Sequence, residues 1–211
     1  MKKKLTFKMC TLFFSLFAMI TMVGCNDDEQ ESLIVKNSTT VNGLMNDADT
    51  TSCIQTRSGG TYSIKKLIVN AKMYRANQSA TINCAALRAT PLQNDDWGNA
   101  LYFWDSPYKN YLDSDHPYFI EVTLKKTLNV IYTDEPGFMD GTYNMAEVIA
   151  SVEKLIGSKK PAGTPFLQWL GQKKYGFYYM ENMDREQAII VPHLILDDDL
   201  FSQKMTDQYK K

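Results

Sequence analysis

The sequence predicts an α+β domain, and three observations carry that prediction. Short runs such as YFIEVTL (118–124) alternate apolar and polar residues with the period of a half-buried strand. The stretch MAEVIASVEKLIG (145–157) repeats Met145, Val148, Ile149, Val152, Leu155 and Ile156 at helical spacing. Strand-like and helix-like stretches are mixed along the chain rather than strictly alternating, which separates this layout from a parallel α/β fold.

The elements follow in order. LIVNAKMYRA (67–76) is β-branched at its start and alternates afterwards, which predicts a strand. Ser79 to Arg88 fits a short helix or a loop. Residues 92–99 are polar and read as a loop, and ALYFW (100–104) as a short strand. In DSPYKNYL, Asp105 or Ser106 can cap a helix that has Pro107 in its first turn. Strands follow at 118–124 and 128–133, then the turn-rich EPGFMDGT. Asn144 caps the helix over 145–156, and Gly157 ends it. Thr164-Pro165 opens a second helix over FLQWLGQKK, with Phe166 and Trp169 as core. Stretches 175–180, 187–191 and 193–196 read as strands, and DDDLFSQKM as a closing short helix.

The first residues are a different matter. MKKKLTFK is basic, CTLFFSLFAMITMVG is apolar, and Cys25 follows. That order is a secretory signal, and the apolar run is too short for a confident membrane span. Met22-Val23-Gly24-Cys25 resembles the lipobox of bacterial lipoproteins, which implies lipidation at Cys25 and a mature chain of 187 residues. The acidic Asn26-Asp27-Asp28-Glu29 run resembles an export tag of surface-exposed lipoproteins. The expected organisation is a signal peptide over 1–24, a polar tether over 25–61 and a single domain over 62–211. Lipidation implies that the protein is attached to the outer membrane or the cell surface through its anchor.

Loss of the leader removes four lysines, leaving 19 basic residues against 24 acidic ones. An acidic balance of this kind argues against nucleic acid as a partner, and no basic cluster with interleaved aromatics tracks a phosphate backbone. Outside the leader, Cys53 and Cys84 remain beside Cys25, and in an oxidising compartment they are candidates for a disulfide. No metal is expected. The chain has no CxxC and no HExxH, and His116 and His193 are its only histidines. Nucleotide loops of the GxGxxG or GxxxxGK[ST] kind are absent, as is GxSxG.

Three segments nevertheless form an ordered set. The first is Lys72-Met73-Tyr74-Arg75-Ala76. The second is GNALYFWDSPYKNY (98–111), with five aromatic rings. The third is FLQWLGQKKYGFYYMENMDREQAIIVPHLIL (166–196). In order and approximate spacing they resemble the ADP-ribosyltransferase superfamily over roughly residues 67–197. The resemblance implies a split, strongly bent pair of antiparallel sheets with a cleft for NAD between them. It implies mono-ADP-ribosyl transfer or NAD hydrolysis, with a protein acceptor in the first case. Arg75 would grip the dinucleotide, Tyr102 would face the nicotinamide, and Tyr111 would form a second wall. Glu186 or Gln187 would hold the catalytic position. Successive strand residues face opposite sides, so only one of those two can point into a cleft. Only a carboxylate there stabilises the developing oxocarbenium ion by charge. The aromatic segments also suit a noncatalytic surface module that recognises a glycan, a peptide or a partner protein. In either case Phe103, on the other side of its strand from Tyr102, is expected in the core.

Overall fold

Residues from the central strands are buried on both faces of one large sheet, and this double burial fixes the layout. The computed structural model describes residues 45–46, 53–57, 59–91, 97–107, 109, 112–180 and 187–210. Its strands are β1 (Met45–Asn46), β2 (Cys53–Gln55), β3 (Thr61–Leu67), β4 (Lys72–Asn77) and β5 (Ala100–Trp104). Next come β6 (Tyr118–Leu124), β7 (Leu128–Thr133), β8 (Gly176–Met180), β9 (Gln187–Pro192) and β10 (Phe201–Gln208). The helices are α1 (Cys84–Ala89), α2 (Gly137–Asp140), α3 (Met145–Ile156) and α4 (Phe166–Gln172). All the strands join one sheet in the order β1-β3-β7-β8-β9-β5-β4-β6-β10, with β2 also on β3. The α+β class is as the sequence predicts. The expected split into two sheets is not seen among the described residues, because β8 and β9 pair continuously with β7 and β5. One pair, β7 with β8, is parallel, and α2, α3 and α4 lie in its connection.

The sheet bends around its first core. Leu67 of β3 and Phe201 of β10 belong to one buried cluster, although they come from opposite ends of the strand order. Three strand spacings separate β5 from β10, roughly 14 Å in a flat sheet. The Phe103 and Phe201 rings nevertheless lie only 6.1 Å apart. Met73, Leu101, Phe103, Ile120, Val122, Ile189 and Val191 fill this inner face. A second core lies on the outer face of β3, β7, β8 and β9. There Tyr62, Ile131, Phe177 and Ile190 meet α3 and α4.

The two main helices are set by their ends. Asn144 accepts a hydrogen bond from the backbone N–H of Ala146 at 3.0 Å, and Gly157 takes the left-handed conformation at φ 63° that closes α3. Val148, Val152 and Leu155 point into the second core. In α4, Phe166, Leu167, Trp169 and Leu170 are all fully buried. A brace joins this helix to β5. Gly98 has φ +89°, and a Cβ there would fall 2.8 Å from Pro165 Cβ, so only glycine fits. Beside it, the Leu167 N–H donates to the Trp97 carbonyl at 2.7 Å. Trp97 lids the edge of the second core, with Phe138, Tyr143, Phe166 and Phe177 around its ring.

Several expectations give way to the structure. The stretch 67–76 is not one strand: it turns at Asn70, which takes a left-handed φ of 71°, and so ends β3 and begins β4. The polar stretch read as a tether supplies β1 and β2, both paired with β3. The described residues of 105–117 form no helix, and 193–195 form a 3-10 turn. DDDLFSQKM leads into β10, an edge strand on β6 whose residues after Phe201 are nearly all exposed. Exposure on both faces erases the period of two that would mark it as a strand.

Trp169→Ala is expected to lower unfolding stability by about 3–5 kcal/mol, measured by denaturant titration. Trp169→Phe should cost clearly less. It keeps most of the ring and removes an indole N–H that is buried without a hydrogen-bond partner.

Candidate functional site

The pairing of β4 with β5 decides how the candidate residues relate. Tyr74 lies opposite Trp104, so these two share a face with Tyr102. Arg75 shares the other face with Phe103. Leu101 and Phe103 are buried in the inner core, while Tyr102 is 43 % exposed on the outer face. Arg75 and Tyr102 therefore lie on opposite sides of the sheet. The Arg75 guanidinium reaches across to donate to the Tyr102 backbone carbonyl, at 3.5 Å. The expected convergence of the two side chains on one cleft does not occur, and alternation along a strand is the reason.

Arg75 is a half-buried cation whose guanidinium is largely withdrawn from solvent. Its guanidinium carbon sits 5.8 Å from the Phe103 ring centroid, and its Nε is buried without a hydrogen-bond partner. Among the described residues no carboxylate pairs with it. Burial alone pulls its pKa down to about 10.

The outer face around Tyr102 is aromatic and partly open. Tyr74 stacks on Phe119 at 6.1 Å, and Lys109 lies 5.8 Å over the same Phe119 ring. Lys109 also bonds Asp207 at 2.7 Å, tying this segment to β10. Lys72 and Glu121 pair at 3.0 Å on the same face. Burial is the main reason that the Tyr74 hydroxyl is held above its ordinary pKa.

The remaining sequence candidates fall as follows. Tyr111, Glu186 and Cys25 lie outside the described residues. Gln187 opens β9, where its backbone pairs with Met180. Cys53 is half-buried on β2, whereas Cys84 is buried at the start of α1 in the inner core; no disulfide joins them. Among the described residues no group of His, Cys, Asp and Glu could hold a metal ion. No described helix is long and apolar enough to cross a membrane.

Two cavities are bounded by described residues. A small one of about 30 Å³ is bounded by Arg88, Asn99 and His193 and has room for a single water. Burial is the main cause that pushes the His193 pKa down. A larger one of about 220 Å³ lies between the β2–β3 turn and the segment joining β7 to α3. The sequence reading missed this cavity. Its residues sit in a stretch that reads only as turn-rich, and β2 brings Thr56 to them from far away in the chain. It also passed over Tyr74, which period-two counting sets on the opposite face of its strand from Arg75 and which the β4–β5 pairing places on the face of Tyr102.

No protein-family model matches the sequence, and no curated protein matches it either.

The buried guanidinium gives a direct prediction. A largely desolvated guanidinium with no carboxylate partner among the described residues opposes folding, so Arg75→Met is expected to leave stability unchanged or raise it by about 1 kcal/mol. The midpoint of chemical denaturation reads this out. A loss of more than about 2 kcal/mol would mean that Arg75 is held by something that stabilises its charge.

Proposed function

We propose that this chain is an exported lipoprotein, anchored through Cys25 to the outer membrane or cell surface, whose folded part is a noncatalytic binding module. The single observation that carries the reading is the exposed Tyr102 ring on the outer face of β5, on the side shared with Tyr74 and Trp104. A strand side chain held between neighbours presents a large ring at low entropic cost, which suits recognition by stacking. Such a platform takes the ring face of a sugar, or an aromatic or aliphatic side chain of a peptide or partner protein.

The second reading keeps the scaffold and adds chemistry: mono-ADP-ribosyl transfer or NAD hydrolysis on an ADP-ribosyltransferase-like domain. The order of the three segments favours it, because it places Tyr102 in the motif that faces nicotinamide in that superfamily. Glu186 or Gln187 would then be the catalytic residue, with Tyr111 as the second wall. Arg75 weighs against it, since its guanidinium lies on the other side of the sheet from Tyr102.

The two readings separate in one set of measurements on the full chain. The binding module predicts retention on an array of bacterial glycans and peptides that falls at least about tenfold in Tyr102→Ala. It also predicts no release of nicotinamide from labelled NAD. Nicotinamide release that disappears when Glu186 and Gln187 are both replaced by Ala would overturn the binding module and establish the enzyme.

A further inference from the structure

The larger cavity is built from groups of mixed chemistry, and their existing bonds define what it lacks. Glu135 is fixed in place: Thr56 Oγ1 donates to its Oε2 at 2.7 Å, and its own N–H donates to Thr133 Oγ1 at 3.0 Å. Gly60 makes room for it, since a Cβ at Gly60 would fall 2.5 Å from Glu135 Oε2. Asp140 Oδ1 accepts from the Thr142 hydroxyl at 2.6 Å and from the Thr142 N–H at 3.0 Å, which leaves Oδ2 open. Glu147, exposed in the first turn of α3, adds a third carboxylate.

Two donors stand among these acceptors. The Tyr143 hydroxyl accepts from Trp97 Nε1 at 2.8 Å and keeps its own proton to give. Asn144 uses Oδ1 to cap α3, so its amide N–H groups remain to give. No Lys, Arg or His is among the described residues that line the cavity.

The carboxylates do not gather on one point, since no described cluster could hold a metal ion. A point cation is therefore a poor occupant. An ammonium group fares little better, because it has no acceptor for Tyr143 and Asn144, and unmatched donors in a site oppose binding. Sugar hydroxyls both donate and accept, and a ring carries several of them around its edge. A cavity of about 220 Å³ has the volume of several waters and suits one such ring.

We propose that this cavity binds one pyranose unit of a glycan, with Glu135, Asp140 and Glu147 accepting from its hydroxyls and Tyr143 and Asn144 donating to them. The site shares no residue with the outer face around Tyr102 and does not depend on it.

Saturation-transfer NMR on the full chain, in a detergent without a sugar headgroup, tests the assignment. The probes are glucose, galactose, mannose and N-acetylglucosamine, with spermidine as the cationic comparison. At least one sugar is expected to receive saturation, and the signal should fall at least about fivefold in Glu147→Ala and in Tyr143→Phe. Glu147 is exposed, and Ala is a good helix former, so that variant keeps the fold. Tyr102→Ala should leave the signal unchanged. The proposal is overturned if no sugar receives saturation, if the signal survives both cavity variants, or if spermidine alone responds.

Discussion

The alternation of side chains along β5 is the constraint on which the rest of this structure depends. Leu101 and Phe103 must enter the inner core, because the sheet bends around them and Phe201 closes against Phe103. Once they do, Tyr102 has no place but the outer face. A one-residue slip would bury Tyr102 and expose Leu101 and Phe103 together, so the register is strongly specified. The same rule sends Arg75 inward, through the pairing of Tyr74 with Trp104. An aromatic platform on one face and a stranded guanidinium on the other are thus two results of one packing decision.

Double-sided burial is what enforces that decision. In β7, β8 and β9 successive residues go to different cores, with Tyr178 in the first and Phe177 in the second, or Ile189 and Ile190 likewise. Strands of this kind lose apolar burial on both faces if they shift, at about 25 cal/mol per Å². The helices α3 and α4 cover only the outer side of this half. The half made of β5, β4, β6 and β10 has its outer face partly open, and Tyr102 is exposed there. The division between a covered and an open half places the two candidate sites. The ring platform lies on the open half, and the polar cavity lies beside the ends of the covered one.

Much of the fold is legible in the residues themselves. Asn144 and Gly157 announce α3, Trp169 and Phe166 announce their own burial, and counting by two separates Phe103 from Tyr102. What is not legible has physical causes. Asn70 in the left-handed region splits an apparently continuous strand, and nothing in LIVNAKMYRA marks a turn except that one residue. The edge strand β10 carries no period because both its faces meet water. The parallel pairing of β7 with β8 depends on a crossover through three helices, which local pattern does not encode. The cavity draws Thr56 and Glu135 together across 79 residues of chain, so its polar lining is invisible along any one stretch.

The placement of Tyr102 and Phe103 on opposite sides of the sheet is open to one direct measurement. A soluble paramagnetic reagent broadens the NMR signals of rings in proportion to their access to solvent. The Tyr102 ring signals are expected to broaden strongly while those of Phe103, 1 % exposed, stay sharp. Equal broadening of the two rings, or a protected Tyr102 beside a broadened Phe103, would contradict the register from which the ring platform follows.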